Sequence, residues 1–520
     1  MRQFSRSVRQ TAVFLLVMSI CITVSPVSAD IRLPSVIDSN MVLQRDIPLP
    51  IWGWAEPGEK IQVKIGSNQV GTRADEQGKW MVKLPPTQAG GPYEMTLTGK
   101  NTIKLTDILF GEVWFCSGQS NMDMGVGVCD NAEQEIAAAD YPRIRLFKVP
   151  RKPSGRPLSD VDADWQLCSP DTIASGGWGG FSAAAYYFGR ELHQQLDVPV
   201  GLINSSWGGT RIEPWTPPAG FAQVPALNDI AEKVEQADSN YEKDVSSKLA
   251  DIEEWTKQAK KALAKDSLVP LPPEFPQYSL SSSGHPVQPT ELYNGMMHPI
   301  VPFAIRGAIW YQGEANLGEG MMYYEKTKAL IGGWRQVWGL GDFPYYFVQL
   351  APFRYGGNPL RLPEIWEAQT ASLSIPNTGM AVTVDIVADL DDIHPTNKQD
   401  VGRRLALWAL AKTYGRSELV YSGPLYKSMS VEDGKIRISF DHAGTGLTSS
   451  DGKPLTCFEI ASSYKRFVKA QTQIDGDTLL VFSDAIASPV AVRFAWHQLS
   501  QPNLSNKEGL PASPFRTDRW

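Results

Sequence analysis

The 520-residue sequence has few of the side chains that build metal centres and disulfide frameworks. Its six histidines stand singly, and its five cysteines match neither a CxxC zinc pattern nor the spacing of a disulfide framework. We therefore predict no metal site. The pairing of the four cysteines that follow the first 29 residues stays open; they are Cys116, Cys129, Cys168 and Cys457.

The chain also has no excess of basic residues. Lysine and arginine number 49 against 56 aspartates and glutamates, which gives a formal net charge of −7. Residues 1–29 hold three arginines and no acidic residue, so their removal would change this charge to −10. Proteins that bind nucleic acid by charge carry a basic patch or stripe. The composition therefore predicts that nucleic acid is not a partner.

Long apolar runs are absent except near the start. Three arginines precede the run Ala12–Val24, and the small residues Val27, Ser28 and Ala29 follow it. This pattern predicts a signal peptide cleaved after Ala29, and hence export to the periplasm or the extracellular space. A membrane anchor is the alternative, but so short a run does not span a hydrocarbon core of about 30 Å.

The remaining chain divides into three regions by its hydrophobic pattern. Residues 30–107 alternate apolar and polar positions between turn signals, which predicts a β-sandwich. Residues 108–415 place near-continuous apolar strands between helices, which predicts an α/β, doubly wound parallel sheet. An insertion at about 218–289 interrupts this region with a charged helix and a proline-rich loop. Residues 416–520 return to β signals and predict a second β-rich domain.

Ser120 is the candidate nucleophile. The apolar strand that ends in Cys116 and Ser117 runs into the tight turn Gly118-Gln119-Ser120-Asn121. A serine between such a strand and a helix is exposed at the carboxyl edge of the sheet, where its own N–H can face an oxyanion. The alternative is an ordinary turn or N-cap serine.

His394 is the candidate general base. A serine hydroxyl is a weak nucleophile and needs a base that is itself held by an acid. Asp391 lies three residues before His394 and can reach its Nδ1 atom. Thr396 and Gln399 match a capping box, which predicts that a helix begins just after His394.

Two further strand ends offer groups for an oxyanion hole. The glycines Gly208 and Gly209 follow one strand and can turn a backbone N–H towards the substrate. Gln312 and Asn316 follow another strand and carry amide donors, and Glu314 between them is a second candidate acid. Each segment could equally be a simple glycine-rich turn.

The motifs GQSNM, SWGGT, WYQGEAN and DIHP occur in this order and resemble those of the sialate O-acetylesterase family. This family is a branch of the SGNH hydrolases and is similar to acetylxylan esterases. The segments MVLQRDIPLPIWGWAEPGE, FSAAAYYFGREL, LYNGMMHP and GLPASPFRTD also look like signatures of the family. The resemblance covers nearly the whole chain after residue 29, apart from the helical insertion.

The resemblance implies a carbohydrate O-acetylesterase of SGNH-type fold that needs no cofactor. It implies Ser120 as nucleophile and His394 as base, with an oxyanion hole from the N–H of Ser120, a glycine of 208–209 and the Gln312 and Asn316 amides. The wider SGNH pattern favours Asp391 as the acid, whereas related carbohydrate acetylesterases favour Glu314. Asp392, next to the motif, stays a third possibility.

The substrate is left open at this level. An O-acetylated sugar or glycan is the expected partner, and Arg211 can pair with a substrate carboxylate such as that of sialic acid. Acetylxylan or another hemicellulose is the nearest alternative, followed by a lipid or thioester. A glycan-binding protein without catalysis is the alternative from another class.

Overall fold

The structure is a computed structural model that describes residues 30–520. The predicted signal peptide, residues 1–29, lies outside the described residues. Within residues 30–520, no helix has both the length and the apolar character needed to cross a bilayer.

The N-terminal region forms short strands with alternating burial, as the alternating sequence predicts. The 17-residue strand that follows them pairs with β6 in its first half and enters the central sheet in its second. The predicted boundary at residue 107 therefore falls inside one continuous strand. These strands are β1 (Val42–Gln44), β2 (Leu49–Trp54), β3 (Lys60–Ile65), β4 (Asn68–Arg73), β5 (Lys79–Leu84), β6 (Gly90–Thr98) and β7 (Thr102–Gly118).

The central sheet confirms the predicted α/β class. It has the order β13-β12-β11-β7-β10-β8-β9, and all neighbours are parallel except the edge strand β9. Strands β10, β11 and β12 are buried along their whole length, because helices cover both faces of such a sheet. The strands after β7 are β8 (Tyr141–Lys148), β9 (Trp165–Cys168), β10 (Val200–Ser206), β11 (Gly307–Tyr311), β12 (Tyr345–Val348) and β13 (Thr378–Ala381).

Helices surround this sheet and extend from it. The α-helices are α1 (Ser120–Asp123), α2 (Ala132–Ala137), α3 (Pro170–Ala174), α4 (Ala183–Leu196), α5 (Pro218–Ala222), α6 (Asn228–Ala264), α7 (Met322–Trp338), α8 (Arg361–Ala371) and α9 (Lys398–Trp408). Short 3₁₀ turns lie at Val126–Val128, Glu213–Trp215, Pro225–Leu227, Glu314–Asn316 and Ser372–Ser374, and π-helical turns at Tyr293–Met297 and Ala409–Thr413.

The starts and lengths of the helices test two predictions from local sequence, the charged insertion and the capping box after His394. Helix α4 begins after Ser182, whose hydroxyl accepts from the N–H of Ala185. The charged insertion forms α6, which buries only three residues along its length. The capping box predicted at Thr396 and Gln399 is wrong. Helix α9 starts after Asn397, whose side chain accepts from the N–H of Asp400 at 3.0 Å.

The C-terminal region has a hydrophobic core of its own, whereas the N-terminal strands share the core of the central sheet. Two four-stranded antiparallel sheets, β14-β15-β20-β19 and β18-β17-β21-β23, contribute to that separate core. The strands are β14 (Leu425–Glu432), β15 (Lys435–Asp441), β16 (Leu447–Ser449), β17 (Phe458–Ser462), β18 (Phe467–Lys469), β19 (Gln471–Asp475), β20 (Thr478–Phe482), β21 (Pro489–Phe494), β22 (Leu504–Asn506) and β23 (Phe515–Arg516).

The four cysteines of the described chain are free thiols. Cys116, Cys129 and Cys168 are buried and Cys457 is half-buried. Burial is the main reason why the pKa values of Cys129 and Cys168 rise to about 12. These thiols therefore stay protonated at neutral pH and behave as small apolar side chains.

Candidate active site

The turn that carries Ser120 is fixed by the two strands beside it. Gly118 has a φ of 146°, and a Cβ atom there would lie 2.1 Å from the carbonyl oxygen of Tyr311 at the end of β11. The N–H of Gln119 donates to the same oxygen at 3.0 Å, and the N–H of Trp207 donates to the carbonyl of Gly118 at 3.1 Å. Ser120 then begins α1, so its hydroxyl lies at the carboxyl edge of the sheet.

His394 reaches this hydroxyl from the loop before α9. Its Nε2 atom lies 2.9 Å from Oγ of Ser120, which is hydrogen-bond distance. With the ring proton on Nδ1, Nε2 can accept the hydroxyl proton of the serine. Two residues 274 positions apart in the chain thus lie in contact, as the predicted nucleophile and base would have to.

The two aspartates before His394 have different partners. Oδ1 of Asp391 accepts from Nε of Arg354 at 2.7 Å, and the side chain is 65% exposed, so the structure does not bring Asp391 to the imidazole. Oδ1 of Asp392 accepts from the N–H of His394 at 2.8 Å and lies 3.7 Å from its Nδ1 atom. Of the two aspartates, Asp392 is therefore the one whose carboxylate faces the imidazole of His394.

Glu314 supports the loop of His394 through Asn121. Oε1 of Glu314 accepts from the amide of Asn121 at 2.6 Å, and the same amide donates to the carbonyl of Ile393 at 3.0 Å. The buried ammonium of Lys398 completes the link, because it donates to Oδ1 of Asn121 and to the carbonyl of Pro395. Glu314 thus holds the residue after the nucleophile against both neighbours of the base.

The surroundings shift the pKa values of these groups. Partial burial, followed by the charge of Lys398, holds the pKa of His394 below its ordinary value of 6.5, while Asp392 opposes the shift. Burial raises the pKa of Glu314, and the hydrogen bond from Asn121 and the charge of Lys398 oppose that rise. Burial also lowers the pKa of Lys398 to about 8. The lowered pKa of His394 favours the neutral imidazole at neutral pH, which is the form that a general base needs.

Of the two glycines that follow β10, Gly208 lies against Ser120, whereas Gly209 faces the ring of His285. A Cβ atom at Gly208 would be 3.2 Å from the Cβ of Ser120, so the backbone of this loop passes directly beside the serine. The N–H of Gly208 has no acceptor among the described residues. As the first residue of α1, Ser120 has a backbone N–H without an acceptor inside the helix. These two N–H groups are candidate donors for an oxyanion.

The amides of Gln312 and Asn316 are already engaged. Nε2 of Gln312 has acceptors at 2.8 to 3.2 Å in Asn316, Thr210 and Gln119. The amide nitrogen of Asn316 donates to Glu213 and Glu319, and its oxygen accepts from the N–H of Ile212. These amides tie the strand-end loops together, and their oxyanion role stays a prediction that the geometry does not favour.

Arg211 also has protein partners. Its guanidinium forms ion pairs with Glu213 at 3.0 Å and with Glu319, and Lys326 pairs with the same two carboxylates. Two positive groups thus share two negative ones, which favours a structural role for Arg211. Substrate binding by Arg211 stays a prediction.

Sequence reasoning missed two side chains at the rim of the site. Arg151 is half-exposed, pairs with the buried Asp123 at the end of α1, and lies 6.0 Å above the ring of Trp207. Trp178 packs its ring edge-to-face on His394 with ring centroids 4.8 Å apart. The glycine pairs on each side of Trp178 were a readable signal of an unusual loop, whereas nothing in the local sequence marked Arg151.

Comparisons of this chain with a family model, with related sequences and with a solved structure all indicate the same family. The model of a family described as "Carbohydrate esterase, sialic acid-specific acetylesterase" matches residues 111–248 and 281–411. The interval between the two matches covers the end of α6 and the proline-rich loop. Sialate O-acetylesterases of Mus musculus and Homo sapiens are 32% and 30% identical to this chain. Each alignment covers 93% of it, with 94% and 92% of the relatives' own lengths.

A solved structure agrees with the sequence relatives. A carbohydrate acetylesterase from Xanthomonas citri is 35% identical and superposes with a TM-score of 0.79. The match covers 94% of this chain and all of that protein. The likeness therefore extends over the N-terminal strands, the central sheet and the C-terminal sheets.

Proposed function

The chain belongs to the sialic acid-specific acetylesterase family of carbohydrate esterases, and we propose that it removes O-acetyl groups from sialic acid with Ser120 as nucleophile. Membership makes it a carboxylic ester hydrolase that deacetylates carbohydrate. The observation that supports the proposed mechanism best is the 2.9 Å contact between Ser120 Oγ and His394 Nε2.

The first half of the reaction forms an acetyl-enzyme. Oγ of Ser120 attacks the carbonyl carbon of the acetyl ester while Nε2 of His394 takes the hydroxyl proton. The negative charge moves to the carbonyl oxygen, where the N–H groups of Ser120 and Gly208 can stabilise it. The bond from the acetyl carbon to the sugar oxygen then breaks, and His394 returns the proton to that oxygen.

The second half regenerates the enzyme. A water molecule gives a proton to Nε2 of His394 and attacks the acetyl carbon. The bond from that carbon to Oγ of Ser120 then breaks, His394 returns the proton to Oγ, and the product leaves as acetate and a proton. Asp392 is the proposed acid, because its carboxylate lies nearest Nδ1 and stabilises the imidazolium that forms in both halves. We assign Glu314 a positioning role through Asn121.

An anionic sugar requires a cation at the rim of this site. Arg151 fits this need, since its partner Asp123 ends the helix that Ser120 begins and its guanidinium lies over Trp207, next to Gly208. A guanidinium that is half-exposed and has one carboxylate partner keeps donors free for a second carboxylate. We propose Arg151, ahead of Arg211, as the group that binds the carboxylate of sialic acid.

The test compares an acidic and a neutral acetylated sugar. Acetate release is measured side by side on O-acetylated sialic acid and on acetylated xylo-oligosaccharides, and kcat/KM is obtained for both. We expect the acidic substrate to be preferred by about 10- to 100-fold, the value of a charge-assisted hydrogen bond of about 1.5 to 3 kcal/mol. Preference for the xylo-oligosaccharide would instead indicate a hemicellulose acetylesterase.

The same assay separates the two arginines. Arg151→Met should lower kcat/KM for the sialic acid ester and so abolish the preference for the acidic substrate. Arg211→Met is the matched control, in which the ratio of the two kcat/KM values should stay as in the wild type. The ratio of the two substrates is unaffected by a loss of folded protein, which matters because Arg151→Met unpairs the buried Asp123. If only Arg211→Met abolished the preference for the acidic substrate, Arg211 would be the residue that binds the carboxylate, as the sequence predicted.

We further propose that the enzyme is exported. The support is the arginine-rich start, the apolar run Ala12–Val24 and the small residues up to Ala29. Expression of the full chain in a bacterium followed by N-terminal sequencing should yield a mature protein that begins at Asp30. A protein that keeps residues 1–29 and stays with the cytoplasmic fraction would contradict export.

A further inference from the structure

Trp178 stands in an unusual backbone conformation and is poorly covered. Its φ is 52°, in the left-handed region that bulky side chains rarely adopt, and its side chain is 40% exposed. Two glycines precede it and two follow it, at positions 176, 177, 179 and 180. Such a conformation persists only where the surrounding structure enforces it, and these places cluster at functional sites.

The loop of Trp178 is clamped to the turn that follows the nucleophile helix. The N–H of Gly125 donates to the carbonyl of Trp178 at 3.1 Å, and the N–H of Gly127 donates to that of Gly179 at 2.8 Å. A Cβ atom at Gly125 would lie 2.3 Å from the carbonyl group of Gly179, so side chains are excluded from this contact. The fold thus positions the indole relative to Ser120, five residues before Gly125.

The indole contacts the base and leaves much of its surface open. Its ring meets the imidazole of His394 at 79°, with centroids 4.8 Å apart. A tryptophan that served only as packing would be covered, as Trp114, Trp215 and Trp334 are. Trp178 is instead 40% exposed, although it packs on the imidazole whose Nε2 atom contacts the hydroxyl of Ser120.

We propose that Trp178 binds the ring of the sugar that leaves in the first half of the reaction, by stacking against its C–H face. This inference rests on the proposed function and specifies which residue recognises the sugar. A pyranose ring carries apolar C–H groups on its faces and hydroxyls at its rim, so an indole offers it a large apolar surface while the hydroxyls stay hydrated. The contact places the ester bond of the sugar between Ser120 and His394.

The test compares esters with and without a sugar ring. In Trp178→Ala, kcat/KM for the acetylated sugar should fall by about 10- to 100-fold, mainly through KM, as expected for a tryptophan anchor. For ethyl acetate, whose leaving alcohol has no ring, the fall should stay below about threefold on the same reasoning. The deacetylated sugar should inhibit competitively, and its Ki should rise in Trp178→Ala by about the same factor as KM for the acetylated sugar.

Three further variants separate stacking from other causes. Trp178→Gly relieves the left-handed strain and should lose sugar binding as much as Trp178→Ala does, whereas Trp178→Phe should recover part of it. Trp520→Ala is the matched control, because Trp520 is similarly exposed, at 43%, in the C-terminal region and should leave both esters unaffected. Thermal unfolding checks that all four variants fold.

The outcomes distinguish this inference from the proposed function. An equal fall for both esters would mean that Trp178 acts only by shielding His394, and an unchanged Ki would mean that it does not touch the sugar. Either result overturns the inference and leaves the proposed function standing. If the wild-type enzyme hydrolysed ethyl acetate but no acetylated sugar, the proposed function would be refuted before any variant is compared. The proposed contact between Trp178 and the sugar would then be refuted as well.

Discussion

Ser120→Ala is expected to lower kcat for acetate release by about 10⁵- to 10⁶-fold, the loss seen when a serine hydrolase loses its nucleophile. The alanine cannot form the acetyl-enzyme, and water must attack the ester without a covalent intermediate. The fold should be unaffected, because the substitution removes one oxygen from a half-buried side chain at the edge of the sheet. Steady-state kinetics on an acetylated sugar, with thermal unfolding of both proteins, measures the effect.

His394→Ala supplies the paired test. Serine and histidine act as one unit, so the loss should be comparable and the double variant little worse than either single one. His193→Gln is the matched control, since the imidazole of His193 packs against Tyr141 and contacts the carbonyl of Val198, away from Ser120. More than a few per cent of activity in Ser120→Ala, or strictly additive losses, would remove Ser120 from the role of nucleophile.

The features that sequence predicted correctly are those that depend on local pattern. Near-continuous apolar strands, which are typical of burial on both faces, predicted the parallel sheet. In the structure, the topology of this sheet brings the ends of β7, β10 and β11 to one edge. The turn at Ser120 could be placed for the same reason, since it directly follows β7. The charged insertion was likewise predicted to be helical, and it forms α6.

The features that sequence could not place depend on partners distant in the chain. Asp391 and Asp392 are equivalent in a local argument, but Arg354, 37 residues before Asp391, binds the first and leaves the second facing His394. From sequence alone the amide of Gln312 is a credible oxyanion donor, but in the structure its Nε2 atom donates hydrogen bonds to the carbonyl of Thr210 and to Oδ1 of Asn316. Residue type thus indicated possible roles, and only three-dimensional contacts decided between them.

The boundary of the helix after His394 shows a local failure of the same kind. Thr396 and Gln399 match a capping box, but Asn397 lies one residue later and its side chain satisfies the N–H of Asp400 instead. The next residue, Lys398, is buried, and its ammonium donates to the carbonyl of Pro395 and to Oδ1 of Asn121. The spacing of Thr396 and Gln399 alone therefore did not decide which side chain caps the helix.

Asp392→Asn is expected to lower kcat by about 100- to 1000-fold, less than the roughly 10⁴-fold loss for the buried aspartate of a serine protease. The loss is expected to be smaller than in the protease because Asp392 is half-exposed and its Oδ1 atom lies 3.7 Å from Nδ1 of His394. Asp391→Asn is the matched control and should lose less than about tenfold, because its carboxylate pairs with Arg354. Glu314→Gln should fall between them, at about 10- to 100-fold, as expected for a group that positions others.

The pH profile separates an acid that faces the base from one that merely supports the loop. In the wild type, kcat/KM should rise with pH through an apparent pKa below 6.5, because burial and Lys398 lower the pKa of His394 and protonation inactivates it. The charge of Asp392 raises this pKa, so Asp392→Asn should move the rising limb to still lower pH, while Asp391→Asn should leave it in place. The opposite result would be a rising limb that moves in Asp391→Asn but not in Asp392→Asn, together with a larger loss of kcat in Asp391→Asn. That result would identify Asp391 as the acid.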